Sequence, residues 1–573
     1  MPTLHHLFTL KLGGAAGQGI KSIGLTFSRI CTRSGYYIYN YTEYPSLIRG
    51  GHNMMQTTVS ADPINSPTLH TSLLIALNQD TVNLHHQEMV DGGIILFDKD
   101  AGITTDQVSS KINIVAIPLA KLAQDVGGKA IMANTVAMGA TMALLKGNLQ
   151  HFKDLLTHEF ADKPKEVAEI NHKAAQAGYD FALKNFSNLI KEIIPQRQNQ
   201  SKQMVISGNE ACAFGAISAG VQFAAMYPMT PATNILHNMA PHQEKFGFIY
   251  KQPEDEIAAL QMAIGAANAG ARSMTATSGG GFCLMQEGVS LAGMTETPVV
   301  IINVMRNAPA TAMPTWSEQG DLRLVLHSGH GDFPRIVLAA GDAKECFELT
   351  QQAFNLAEKY QTPVILLSDK IIAENDQSFE LFSDKFEVER GKYSDKKIPD
   401  YKRYELTDEG ISLRVPLGSG NFFIANSDEH DELGFSMEEI AMRNSQMEKR
   451  NRKLEVCRHQ DMPQPKLFGP ETADVTIVSW GSNKGSIVDV LKYYPNVNYL
   501  HLTWINPFPI KAVQEILGRA KYILNVEQNY AAQMGGWIAE QTGIRILDNL
   551  LKYDGRPIYP EEIMAKLDSI LKG

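Results

Sequence analysis

The sequence predicts an α/β protein of three domains. Three observations carry this. Short apolar runs recur through the chain with helix-like stretches between them, the pattern of strands joined by crossover helices. A glycine-rich loop follows the first run at once. Two polar stretches without apolar period break the pattern, near residue 196 and again after residue 390. A chain of 573 residues suits several domains at roughly 100–200 residues each.

The first segment, 1–195, opens with the strand-like run Leu7–Leu12. Gly13, Gly14, Gly17 and Gly19 follow, and then a helical stretch from Ile20. Apolar runs at 72–77, 92–97 and 112–117 read as buried strands of a parallel sheet, and 164–194 reads as helix. Residues 196–203 are polar and read as a linker. The second segment, 204–390, starts with the run Met204–Ser207. It is rich in Ala and Gly and has strand-like runs at 297–304 and 362–368. Residues 391–470 form a connecting arm. Its Lys392, Lys396, Lys397, Lys402 and Arg403 read as a solvated face, and a charged helix is expected over 436–454. The third segment, 471–573, returns to α/β with runs at 475–479, 497–502 and 522–526.

Composition excludes several classes. Hydrophobic residues make up 44% and charged residues 20%, and the net charge is −10. That balance argues against a nucleic-acid binder, which needs a basic face. Cys31, Cys212, Cys283, Cys346 and Cys457 form no C-x-x-C pair, so neither a zinc knuckle nor a self-contained iron–sulfur site is expected. Apolar stretches such as Val299–Val304 fall far short of the roughly 18 residues of a membrane span. No signal peptide is legible at the N-terminus. The expectation is a soluble, cytoplasmic protein with no membrane partner.

Six features could carry chemistry. The loop Gly13–Gly19 offers backbone N–H groups at a helix start, suited to an anion or to a tight structural turn. Arg49, beside Gly50, Gly51 and His52, could clamp a carboxylate or phosphate. Two prolines hold Thr230 in Tyr227-Pro228-Met229-Thr230-Pro231, and Pro231 suits the first position of a helix. Glu256 is the last acid before an uncharged run that lasts to Arg272, so it must be paired or have a perturbed pKa. Gly279, Gly280 and Gly281 follow Thr275-Ala-Thr-Ser278 and allow close approach to backbone. Arg306 ends an apolar strand, where ligands of open α/β sheets collect. Metal-ligand spacings are poor, and no nucleophile elbow is present.

Taken together, in this order, these motifs resemble the 2-oxoacid:ferredoxin oxidoreductases, over nearly the whole chain, with the family's γ and α parts fused. The resemblance implies a γ-type domain, a thiamine-diphosphate pyrimidine-binding domain and a transketolase C-terminal-like domain. It implies that Glu256 hydrogen-bonds the aminopyrimidine of thiamine diphosphate, favouring the imino form that acts as internal base. Pro228, Gly279 and Gly280 would line the cofactor. Thr230 and Arg306 would bind the 2-oxoacid, and Arg49, His52, Gly17 and Gly19 would contact substrate or coenzyme A. Met229 stands where the family commonly has Ile.

No Gly-Asp-Gly motif for a metal-bound diphosphate is found. The resemblance therefore puts Mg²⁺ and a 4Fe–4S cluster on a separate β subunit, with ferredoxin as electron acceptor, coenzyme A as co-substrate and a dimer of α–β pairs as the assembly. The implied substrate is 2-oxoglutarate, with pyruvate or a branched-chain 2-oxoacid as alternatives. Two readings of other classes compete: a nicotinamide-dependent dehydrogenase built on the glycine loop, which leaves Glu256 unexplained, and a non-catalytic scaffold.

Overall fold

The computed structural model describes residues 7–47, 50–190, 203–383 and 385–572. Arg49 and nearly all of the expected 196–203 linker lie outside them. The chain forms two compact units. One comprises Met1–Ile206, Asn375–Leu381 and Tyr559–Ser569, and the other Ser207–Glu374, Phe382–Ile558 and Ile570–Gly573.

In the first unit, strands β1 (Phe8–Ala15), β2 (Tyr37–Glu43), β3 (His52–Ser60), β4 (Thr71–Ala76), β5 (Met89–Asp98), β6 (Asn113–Ile117) and β7 (Gln203–Ser207) share one sheet. The expected parallel sheet is corrected here. β1, β4, β5 and β6 run parallel, but β3 is antiparallel to both β1 and β2. The reason is loop length, because residues 44–51 are too few for a crossover helix. The run Met204–Ser207, read as the start of the second segment, is a strand of this first sheet. The helix Ile20–Arg33 buries Ile20, Ile23, Phe27 and Ile30, an apolar stripe at helical spacing.

In the second unit, β8 (Phe223–Ala225), β9 (Ile249–Lys251), β10 (Ser273–Thr277), β11 (Val299–Met305), β12 (Ile336–Ala339) and β13 (Pro363–Asp369) build a second sheet. β14 (Asp376–Glu380) belongs to the first sheet, antiparallel to β2. A third sheet holds β15 (Lys466–Phe468), β16 (Val475–Trp480), β17 (Val497–Leu502), β19 (Ile523–Glu527) and β20 (Asp548–Leu551), while β18 (Trp504–Asn506) joins the second. Every residue of β10 and β11 is buried, as expected of parallel strands covered on both faces. β8 and β11 both run parallel to β10. Their carboxyl ends therefore open on one edge.

The arm is the solvated face its charges suggest at Lys392, Lys396, Lys397 and Lys402, which are exposed, but not at Arg403. Arg403 is buried and donates to Gln361 Oε1 (2.9 Å) and to the Glu296 carbonyl (2.6 Å). The helix Ile440–Gln460 turns Gln446, Lys449, Arg450, Lys453 and Cys457 inward. Lys449 and Lys453 each reach the fully buried Glu296 carboxylate at 2.5 Å. The ammonium groups hold Glu296 far below the usual carboxylate range against the opposing effect of burial. Glu296→Ala would strand two buried ammonium groups, so it is expected to cost about 3–5 kcal/mol in urea unfolding. A loss below about 1 kcal/mol would show that the cluster contributes little to holding the arm.

Candidate active site

The shared edge of β8, β10 and β11 gathers six of the residues singled out from the sequence. The loop after β8 carries Pro228, Met229 and Thr230, all half-buried. Asn209 Nδ2 donates to the Pro231 carbonyl (2.8 Å) and pins the loop to the helix Gly208–Ser218. The helix that follows starts at Thr233, with Ala232 as its cap, so Pro231 is not its first residue.

Glu256 opens the helix Glu256–Asn268, whose cap Asp255 accepts from the Ala258 N–H (2.8 Å). The helix is so rich in small apolar residues that its first turn sinks into the unit. Glu256 is only 3% exposed, and its Oε1 has no hydrogen-bond partner among the described residues. Burial, with Asp255 next to it, raises its pKa, and a backbone N–H pulls weakly the other way.

Gly281 explains how the carboxylate fits. A Cβ there would lie 2.5 Å from Glu256 Oε1 and 2.1 Å from Thr277 Oγ1. The helix Gly279–Leu284 that follows β10 must therefore have glycine at this position, because the carboxylate occupies the space of a side chain. At Gly279 a Cβ would lie 2.5 Å from Asp321 Oδ2. Gly280 instead faces Met229, with an added Cβ at 3.7 Å in ordinary contact. The buried Ser278 Oγ, just before the turn, also has no partner.

Arg306 follows β11 directly and donates from Nη1 to the Thr230 carbonyl (2.7 Å). The cation and the Thr230 loop thus hold each other, and no described residue bonds the Thr230 hydroxyl. Partial burial lowers the Arg306 pKa, and Asp321 opposes that. Asp321 is itself buried, accepts from Asn303 Nδ2 (3.1 Å) and has its pKa raised by burial. Asn303 Oδ1 is unpartnered.

Sequence reasoning missed Asp321, Asn303 and the special role of Gly281. The signal for Gly281 was its place in a glycine triplet. Asp321 lies 15 residues beyond Arg306 and gave no signal. The remaining candidates belong to the other unit. His52 begins β3 opposite Ala15. Gly17 and Gly19 have φ of 87° and 73°, left-handed conformations that glycine permits.

A buried carboxylate with an unpartnered oxygen, set against the glycine first turn of the helix Gly279–Leu284 at the carboxyl ends of parallel strands, has room in its hydrogen bonding for a donor. Comparison with known proteins gives the family. A family profile described as pyruvate flavodoxin/ferredoxin oxidoreductase, thiamine diphosphate-binding, matches residues 214–449, and one described as pyruvate ferredoxin/flavodoxin oxidoreductase matches residues 9–181.

The chain is 32% identical over 625 aligned residues to the 2-oxoacid:ferredoxin oxidoreductase subunit alpha of Saccharolobus solfataricus, covering 98% of this chain and 97% of that one. It is 34% identical over 374 residues to the 2-oxoglutarate synthase subunit KorA of Methanothermobacter marburgensis, covering 64% of this chain and 99% of that one. Among solved structures, the 2-oxoglutarate:ferredoxin oxidoreductase from Magnetococcus marinus, with 2-oxoglutarate, coenzyme A and succinyl-CoA bound, superposes with a TM-score of 0.93 at 31% identity, covering 98% of this chain and 99% of that one.

Fold and family matches together define an oxidoreductase chain with a thiamine diphosphate-binding domain. The chain belongs to the 2-oxoacid:ferredoxin oxidoreductase family, as an alpha subunit.

The Glu256–Gly281 contact leaves no space for a methyl group. Gly281→Ala is expected to lower stability by about 1–3 kcal/mol, measured by denaturant unfolding. Gly280→Ala, which meets only Met229, is expected to cost less than about 1 kcal/mol. Equal losses at the two positions would refute the packing argument.

Proposed function

We propose that this chain, with a β subunit, catalyses the coenzyme A-dependent oxidative decarboxylation of 2-oxoglutarate to succinyl-CoA and CO₂, reversibly, with the electron pair passed to ferredoxin. The single observation that carries the proposal is Glu256, a buried carboxylate whose Oε1 lacks a partner beside the glycine-rich start of the helix Gly279–Leu284. Such a group is costly to bury unless a ligand completes it. The aminopyrimidine ring of thiamine diphosphate suits it, with an N–H for the carboxylate and a flat face that Gly279, Gly280 and Pro228 let close to the backbone. When bound, thiamine diphosphate supplies an electron sink for the carbon that loses CO₂.

This chain's own residues do the rest. Glu256 takes and holds a proton at the ring, helped by the raised pKa that burial gives it. Arg306 supplies the positive charge for the 2-oxoacid's carboxylate, steered by the Thr230 carbonyl. The Thr230 hydroxyl donates to the keto oxygen, where negative charge gathers. The choice of 2-oxoglutarate is supported by the similarity to the Magnetococcus enzyme and the KorA subunit.

In this reading 204–390 is the pyrimidine-binding domain, 391–470 a connecting arm and 471–573 a transketolase C-terminal-like domain. Residues 1–195 form the γ-type domain, and Gly17, Gly19, Arg49 and His52 contact coenzyme A or the 2-oxoacid. The β subunit carries the diphosphate site with its Mg²⁺ and the 4Fe–4S cluster. The assembly is a dimer of α–β pairs working in the cytoplasm. No described helix is long and apolar enough to cross a membrane.

The test is coenzyme A-dependent reduction of a low-potential viologen by the complex purified from its native cell. Reduction with 2-oxoglutarate and not pyruvate is expected; the reverse would overturn the substrate assignment. In the same complex Glu256→Gln is expected to fold at least as stably, because a buried charge is removed, yet to lose activity by about three orders of magnitude or more. Full activity in a folded Glu256→Gln complex would sink the assignment of Glu256.

A further inference from the structure

Asp321 stands at a helix start without capping its helix. Its carbonyl accepts the Val325 N–H (2.9 Å) of the helix Leu322–Leu326, but its carboxylate makes no capping bond there. Asp is among the best capping residues, so a carboxylate turned elsewhere has another use. It is turned across the site. On one side Asn303 Nδ2 of β11 donates to Oδ2 (3.1 Å). On the other, the whole carboxylate lies against Gly279, where a Cβ would be 2.5 Å from Oδ2, 2.7 Å from Oδ1 and 2.8 Å from Cγ. One buried group thus touches both the start of the helix Gly279–Leu284 and the strand that Arg306 follows.

The segment that carries Asp321 is held from the third segment of the chain. Gln533, the first residue of the helix Gln533–Thr542, accepts the Arg323 N–H at Oε1 (3.1 Å) and donates from Nε2 to the Gly320 carbonyl (2.8 Å). One side-chain amide therefore clamps the backbone on both sides of Asp321. Gln319 is fixed as well. Its N–H donates to the Gln528 carbonyl (2.7 Å), and its carbonyl accepts from Asn529 Nδ2 (3.2 Å). All of these residues belong to the second unit. A buried side chain whose backbone is clamped on both sides has few alternative positions, which is what holding a site within a fraction of an ångström requires.

We propose that Asp321 is a positioning residue for the reaction: its carboxylate sets the spacing between the glycine start of the helix Gly279–Leu284 and the strand that presents Arg306, and Gln533 holds it in place. The proposal rests on the reading that Gly279 and Gly280 line thiamine diphosphate and that Arg306 binds the 2-oxoacid. The reacting carbon of the 2-oxoacid must stand at one distance from the cofactor, and a misplacement of about 1 Å costs about a hundredfold in rate. A prop between the two binding elements fixes that distance. Without it each element keeps its own ligand, but the two ligands lose their mutual geometry. Through Gln533 the third segment also takes part in the chemistry.

The closing experiment has two arms. The first is a double-mutant cycle on the thermal midpoint of the full chain without ligand. Gly279→Ala and Asp321→Ala are each expected to lower the midpoint, one by crowding and the other by leaving a hole. The double variant is expected to melt higher than Gly279→Ala alone, because the methyl takes the place of the carboxylate. A double variant that melts no higher overturns the contact. The second arm uses the assembled enzyme. Asp321→Ala is expected to lower kcat with 2-oxoglutarate about a hundredfold, and to move KM for 2-oxoglutarate and the calorimetric Kd for thiamine diphosphate less than about threefold. Asp321→Asn keeps the shape and the acceptor for Asn303, and is expected to stay within about threefold of the wild-type kcat. An unchanged kcat in Asp321→Ala, or a loss as large in Asp321→Asn, overturns the proposal. If Asp321→Ala fails to fold, Gln533→Leu takes its place; about a tenfold fall in kcat with the same two binding constants is expected, and no fall overturns the proposal. A wild-type enzyme inactive with every 2-oxoacid would refute the reaction assigned above and with it this role of Asp321. The melting cycle would still decide the contact by itself.

Discussion

The candidate active site depends on one contact, the Glu256 carboxylate lying against the α-carbon of Gly281. What surrounds it keeps a charge-bearing group in a buried place with one carboxylate oxygen unpartnered. The helix Glu256–Asn268 is built of small residues and can sink into the unit. The helix Gly279–Leu284 after β10 has glycine where the carboxylate needs room. An unsatisfied buried carboxylate costs on the order of 1–3 kcal/mol or more, and such a cost is tolerated where a ligand recovers it.

The same unit shows the opposite treatment of a buried acid. Glu296 is as deeply enclosed as Glu256, but Lys449, Lys453 and Arg403 surround it. Its charge is satisfied internally, and it holds the arm and the helix Ile440–Gln460 in place. Two buried glutamates thus take contrary roles because of their neighbours alone. One is complete without a ligand, and the other has an oxygen left over.

Much of this was legible along the chain. Strand runs such as 475–479 and 497–502 fall within a residue of the observed β16 and β17, since continuous β-branched and apolar runs fit strands buried on both faces. Glu256 stood out because no other charge follows it until Arg272, and Thr230 and Arg306 because prolines and a strand end frame them. The antiparallel β2 and β3 were not legible as such. Alternating Tyr, Asn and Thr carry no direction, and only the short connection forces the reversal. Arg403 was misread for a related reason, because it stands in a lysine-rich stretch with the composition of a solvated face and only its contacts to Gln361 and Glu296 draw it inward. The charged helix was legible, but not that its Gln446, Lys449, Arg450 and Lys453 face inward.

The sequence by itself determined the class of fold, many of the buried strands and the few side chains with chemistry to offer, because periodicity and local composition are properties of neighbours in the chain. Only the tertiary structure decided which of those side chains meet. Thr230, Glu256, Gly281, Arg306 and Asp321 are spread over some 90 residues, and they converge because parallel strands put all their carboxyl ends on one edge. Lys11, Glu88, His85 and His52 likewise form one line of contacts only in the folded unit, where strands β1 and β3 lie side by side. Hydrogen-bond direction is a property of the closed network, and that network exists only once the sheet has brought its members together.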